Sequence, residues 1–275
     1  MKSPTLSFIG GGNMARSLIG GLITDHYDPV RIWAADPHTE GLDRLREEFG
    51  IHTTALNQEA ADHGEVLILA IKPQVLRGVA RELAEIVQKR KPLVVSIAAG
   101  VRSADIERWL GGNIALVRTM PNTPALVKSG ATALFANGRV SQTQREQAET
   151  ILRSVGVTIW VLEEAQLDAV TALSGSGPAY FFLFMEHLER VARELGLSAE
   201  TAHLLTLETA FGAARMALSS EDDVATLRRR VTSPGGTTEK ALEAFAAGDF
   251  GGLVDKALHA ACQRSRELAD ILGKD

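Results

Sequence analysis

One short run constrains this chain more than any other. Val66-Leu67-Ile68-Leu69-Ala70-Ile71 is apolar at every position. A strand with one wet face alternates apolar and polar residues, so an unbroken run belongs to a strand covered on both sides, as in a parallel sheet between helical layers. Its surroundings repeat that pattern. Thr5 to Ile9, Val30 to Ala34, Leu93 to Ile97 and Ala115 to Thr119 read as further strands, with weaker ones at Ala131 to Phe135 and Val157 to Val161. Between them, Asn13 to Ile23, Glu40 to Phe49, Val75 to Val87, Ala104 to Leu110 and Gln142 to Val155 carry helical patterns. Alternating β and α with short connections predicts an α/β, doubly wound sheet of the Rossmann type.

From about residue 163 the strand signals stop. Pro178 to Leu195, Ala199 to Leu218, Val224 to Arg230, Thr237 to Ala246 and Leu253 to Leu272 all look helical, with Pro178 placed for a first turn and Gly196 and Gly248 for C-caps. The expected division is therefore 1–162 for a dinucleotide-binding domain and 163–275 for an all-helical domain. A chain of 275 residues has room for two such parts. The segment Ala202 to Leu218 is apolar on nearly every side. A helix of that kind must be buried, either as an ordinary core helix of this domain or under a second subunit, and the small size of the bundle favours the second.

Composition narrows the partners. A net charge of −5, from 29 basic and 34 acidic residues, argues against non-specific affinity for nucleic acid or anionic membrane. The longest apolar runs, such as Ala179 to Met185, fall far short of the ~18 residues that span a bilayer. The residues ahead of Gly10 read as a strand rather than a signal peptide. A single cysteine, Cys262, excludes an internal disulfide framework and a cysteine-built zinc site, and it suits a reducing cytoplasm.

Two glycine clusters carry the chemistry. Gly10-x-Gly12-x-x-Ala15 follows the first strand and opens the first helix. Gly10 permits the tight turn, Gly12 lets backbone approach a pyrophosphate, and Ala15 is small enough for close helix–strand packing. Asp36, 26 residues after Gly10, closes the second strand, where an acid holds ribose hydroxyls and favours NAD over NADP. Lys72-Pro73 and Ala98-Ala99-Gly100 lie at later strand ends, suited to border a nicotinamide ribose and ring. In the helical half, Ser233-Pro234-Gly235-Gly236-Thr237-Thr238 precedes a helix. Backbone N–H groups of Gly235, Gly236, Thr237 and Thr238 there would form a nest for an anion such as a small carboxylate. Ser174 to Tyr180 reads as a second flexible turn leading into a helix.

Neither loop contains His, Lys, Cys or Asp, and the seven histidines show no metal-ligand spacing. A nicotinamide enzyme without an acid or base needs a substrate already electrophilic enough to accept hydride. A protonated imine is one. Catalysis would then consist chiefly of orienting two bound partners.

These residues closely resemble the pyrroline-5-carboxylate reductase family over essentially the whole chain. The carriers are Phe8 to Met14, Ala70 to Pro73, Val95 to Val101, Arg118-Thr119-Met120-Pro121-Asn122-Thr123-Pro124-Ala125, Leu173 to Tyr180 and Ser233 to Thr238. The resemblance implies reduction of (S)-1-pyrroline-5-carboxylate to L-proline with NADPH or NADH. It also implies a Rossmann domain followed by a helical dimerisation domain, with homodimers assembled into larger rings, commonly homodecamers. By position it places Gly12, Asn13 and Met14 on the pyrophosphate, and Asn57, Ala70, Lys72, Pro73 and Ala98 along the rest of the cofactor. It places Gly235, Gly236, Thr237 and Thr238, beside Ser233, on the substrate, with Thr238 nearest the imine nitrogen as the catalytic residue and Glu221 on the substrate side. Asp36 departs from the uncharged residue of many relatives and weighs against a strong NADP preference. Two rivals exist: a β-hydroxyacid dehydrogenase, whose catalytic lysine is missing from Pro178 to Leu195, and a dinucleotide-binding scaffold without chemistry.

Overall fold

A computed structural model describes residues 3–274. Eight strands form one sheet: β1 (Leu6–Ile9), β2 (Ile32–Ala35), β3 (His52–Thr54), β4 (Val66–Leu69), β5 (Leu93–Ser96), β6 (Leu116–Met120), β7 (Gly130–Ala136) and β8 (Gly156–Trp160). Their order is β3-β2-β1-β4-β5-β6-β7-β8, parallel throughout except where β7 runs against β6. The helices between them are α1 (Asn13–Thr24), α2 (Thr39–Phe49), α3 (Asn57–His63), α4 (Pro73–Arg90), α5 (Ser103–Trp109) and α6 (Gln142–Arg153). After β8 the chain is helical: α7 (Gln166–Val170), α8 (Gly177–Glu194), α9 (Ala199–Ser219), α10 (Val224–Arg230), α11 (Thr237–Ala247) and α12 (Phe250–Leu272).

The unbroken apolar strand is explained by two cores. On one side of the sheet, Leu6, Phe8, Ile32, Ala34, Val66, Ile68 and Val95 pack with Leu18 and Ile19 of α1 and Ile151 and Leu152 of α6. On the other, Ile9, Ala35, Leu67, Leu69 and Val94 pack with Leu76, Ala80 and Leu83 of α4 and Ile106 of α5. Successive residues of β4 therefore enter different cores, and neither face tolerates a polar residue. Ser7 is the exception in β1, its hydroxyl donating to the Ala60 carbonyl at 2.6 Å.

Several elements depart from the sequence pattern. β3 and α3 lie outside the predicted elements; His52-Thr53-Thr54 is a short, half-exposed polar strand at the sheet edge, and α3 buries only Ala60 and Ala61. Residues Pro29–Arg31 form a 3-10 turn, so β2 begins at Ile32 rather than Val30. Residues Thr171–Gly175 form a π-helical turn running on from α7, with Ser176 N–H donating to Thr171 O at 2.8 Å, where the sequence predicts a flexible loop. Bonds from the Asn122 amide to the carbonyl and hydroxyl oxygens of Ser174, at 3.3 and 3.2 Å, tie that turn down.

Two compact units emerge. The first holds the residues up to Ser176 together with those from Ala260 onward, and the second is Gly177–His259. Strand structure ends at Trp160, and Leu167 and Ala172 beyond it are buried within the first unit. In the second unit only Gly177, Ala202 and Thr206 are buried among the described residues. Phe181, Phe182, Leu183, Leu204, Leu205, Phe211 and Leu218 are exposed, an apolar surface far beyond what a soluble single chain ordinarily shows water.

Candidate active site

The first site lies beyond the carboxyl ends of β1, β2, β4 and β5, the side on which open α/β sheets bind ligands. Gly10 leaves β1 with φ +104°, and its N–H donates to Ala35 O at 2.7 Å. A Cβ there would stand 2.3 Å from the Ala70 carbonyl oxygen, so only glycine fits. Gly12 caps α1, and no atom lies within 4 Å of where its Cβ would be. The open space at Gly12 and the first-turn amides of α1, beginning with Asn13 and Met14 and lacking acceptors within the helix, give an anionic group room and donors. Ala15 is fully buried under this turn. These observations fit a dinucleotide pyrophosphate.

Asp36 does more than end β2. One carboxylate oxygen accepts from Gly11 N–H at 2.8 Å and the other from His38 N–H at 2.9 Å. The carboxylate thus fixes the glycine turn while presenting negative charge beside it. Ala70 N–H donates to Ile9 O at 2.8 Å, Lys72 caps α4 and Pro73 opens it. Ala98 is buried, and Asn57 opens α3 with its amide donating to Glu82 at 3.3 Å. All ten sequence-predicted cofactor positions follow the ends of β1 to β5 on this one side.

The second site is the turn before α11. Gly235 has φ +69° and Gly236 is the N-cap. Two of the four expected nest amides are already engaged: Gly236 N–H donates to Ser233 O at 3.0 Å, and Gly235 N–H to the Glu239 carboxylate at 2.7 Å. The donors left are those of Thr237 and Thr238, the first two residues of α11, which have no acceptor within the helix. Glu239 escaped the sequence reading, although its place at the third helical position is the spacing at which a glutamate folds back on the turn before its own helix. Glu221 is exposed in the bend ahead of α10. Nearby, the Asp223 carboxylate accepts from Thr226 N–H at 2.7 Å, which holds it below the usual carboxylate range. Among the described residues no group of three His, Cys, Asp or Glu could hold a metal ion.

Known proteins decide what these two loops belong to. Residues 164–268 match the family described as pyrroline-5-carboxylate reductase dimerisation, and residues 5–100 match NADP oxidoreductase coenzyme F420-dependent. Pyrroline-5-carboxylate reductase of Pseudomonas aeruginosa is 52% identical over 274 residues, covering 100% of both chains. The chain belongs to the pyrroline-5-carboxylate reductase family. A solved pyrroline-5-carboxylate reductase from Coxiella burnetii is similar with a TM-score of 0.93 at 49% identity, covering 98% of this chain and 99% of that one. The Plasmodium falciparum pyrroline carboxylate reductase, solved with NADP bound, matches with a TM-score of 0.86 at 28% identity, over 98% and 99%. The helices after β8 are therefore a reductase dimerisation domain, which accounts for their apolar exposure. No described helix is long and apolar enough to cross a membrane.

Proposed function

We propose that this chain reduces (S)-1-pyrroline-5-carboxylate to L-proline, the last step of proline biosynthesis, with NADPH or NADH as reductant. The observation that carries the reading is full-length similarity at 52% identity to a named reductase, spanning both glycine loops. When bound, the dinucleotide supplies the hydride. Gly12, Asn13 and Met14 hold its pyrophosphate on the turn that Gly10 permits, Asp36 holds its adenosine ribose, and Asn57, Ala70, Lys72, Pro73 and Ala98 flank the remainder. Ser233, Gly235, Gly236 and Thr237 bind the substrate carboxylate and ring, with Glu221 on the substrate side. Thr238 holds the imine nitrogen as the catalytic residue. Gly235 must part from Glu239, and Gly236 from the Ser233 carbonyl, for those two amides to join this set, while Thr237 and Thr238 are available at once.

The imine takes its proton from water before reduction, so the carbon accepts hydride and the nitrogen keeps the proton as a secondary amine. No side-chain acid is needed, and the loops contribute by orientation. Residues 1–162 serve the cofactor and 163–275 serve dimerisation and substrate. The protein works in the cytoplasm as a homodimer that assembles into homodecamers. Asp36 lets NADH compete with NADPH. The test is cofactor oxidation followed by absorbance of the reduced nicotinamide with added pyrroline-5-carboxylate, with proline assayed in the product. Proline formation is expected with either cofactor, and its absence with both would end the proposal.

A further inference from the structure

The β5–α5 turn is anchored in the second core by Ala98 and Val101. Its two polar ties are long: Ile97 N–H to Leu69 O and Ala98 N–H to Ser96 Oγ, both at 3.3 Å against the usual 2.9–3.0 Å. Gly100, buried at the tip, has φ +68°. What covers it is the end of the chain. The point where a Gly100 Cβ would stand is 3.4 Å from Leu268 Cβ and 3.6 Å from Leu272 Cδ1. Leu272 also packs against the second core.

That helical end is fastened from several directions. Arg102, the N-cap of α5, pairs with Asp270 at 2.5 Å, and Arg108 of α5 donates to Gly273 O at 2.8 Å. Arg77 of α4 donates to Lys274 O at 3.0 Å, and Ser265 Oγ donates to Asp168 at 2.7 Å. Guanidinium groups suit the carbonyl end of a helix. Exposed ion pairs contribute little individually. Their convergence fixes the rotation of α12, and that rotation decides whether Leu268 and Leu272 face Gly100.

We propose that Leu268 and Leu272 are positioning residues that set the Ala98–Gly100 turn and, through it, the affinity for the nicotinamide dinucleotide. The proposal rests on the reading of that turn as part of the cofactor site.

Titration of the full-length protein with NADPH tests it. Leu268→Ala raises Kd by about fivefold or more, leaves kcat at saturating cofactor unchanged, and is rescued by Leu268→Met to within about twofold. Ile271→Ala, on the same turn of helix but 53% exposed, leaves Kd at the wild-type value. A wild-type Kd for Leu268→Ala, or equal weakening by Ile271→Ala, overturns the proposal, since a merely structural helix end would change stability alone. Hydrogen exchange on the wild-type protein gives a check independent of variant folding. NADPH slows the amides of residues 266–272, and no slowing overturns the proposal. Failure of wild type to bind NADPH or NADH at all would refute the cofactor reading itself, and this proposal with it.

Discussion

Asp36→Asn separates two jobs that one carboxylate performs. The amide oxygen can still accept the Gly11 N–H now bonded at 2.8 Å, which holds the glycine turn, whereas the amide NH2 cannot accept the His38 N–H now bonded to the other oxygen at 2.9 Å. The charge is gone. For NADPH the charge matters because the 2′-phosphate must lie beside the residue that ends β2. Two unit charges roughly 5 Å apart repel by about 1 kcal/mol in a water-like dielectric and about 3 kcal/mol at a partly buried site. Removing that repulsion raises kcat/KM for NADPH roughly fivefold to 150-fold. For NADH the substitution exchanges a charge-assisted hydrogen bond to ribose for a neutral one, a loss of about 1 kcal/mol. Steady-state kinetics with both cofactors, at low and high ionic strength, reads the ratio. The wild-type penalty on NADPH shrinks with added salt, and the Asp36→Asn enzyme shows no such dependence. An unchanged NADPH-to-NADH ratio would refute the placement of Asp36 against the ribose.

Three further expectations concern other residues. Thr238→Ala lowers kcat/KM by roughly tenfold to a hundredfold, the loss of about 1.4–2.7 kcal/mol from one positioned hydrogen bond, and unchanged kinetics would remove Thr238 from the site. Glu164 accepts from the buried Arg118 at 2.9 Å and from the Ser103 amide and hydroxyl at 2.6 Å each, so Glu164→Ala strands a buried guanidinium and costs about 3–5 kcal/mol in denaturant unfolding. Glu149 is held below the usual carboxylate range, first by the Trp160 indole N–H at 3.0 Å and also by Arg153 and Thr158. Its folded pKa is depressed, so its contribution is present above the unfolded pKa and lost as pH falls through the folded one. Glu149→Gln therefore lowers Tm at neutral pH and flattens its fall across the acid range, the two proteins converging below the folded pKa of Glu149.

Much of this was legible in the sequence, for physical reasons that differ between elements. The central strands announced themselves because residues such as Ile68 and Leu69 face opposite cores and must both be apolar. Gly10 was legible because its backbone admits no side chain. β3 was not, since a three-residue edge strand of His and Thr buries little and leaves no pattern. The reversal of β7 was hidden because orientation is set by the connection through residues 121–129, not by the apolar content of the strand. Asp36 stood out as an acid at a strand end, but its grip on Gly11 did not, because that bond joins residues on two different strand ends. The Ser174 turn looked flexible from its Ser and Gly content, whereas Asn122 and the π-helical bond of Ser176 hold it. A Cβ on Gly175 would meet the Met120 Cε, the movable end of a flexible side chain, and nothing else closer than 3.8 Å.

The central claim is that hydride passes from a nicotinamide directly to an imine carbon. NADPH deuterated at the transferable C4 position, incubated with the enzyme and pyrroline-5-carboxylate, tests it most directly when the proline is examined by mass spectrometry and NMR. The account predicts a single deuterium at C5 of L-proline. Unlabelled proline, or no proline from either labelled cofactor, would contradict it.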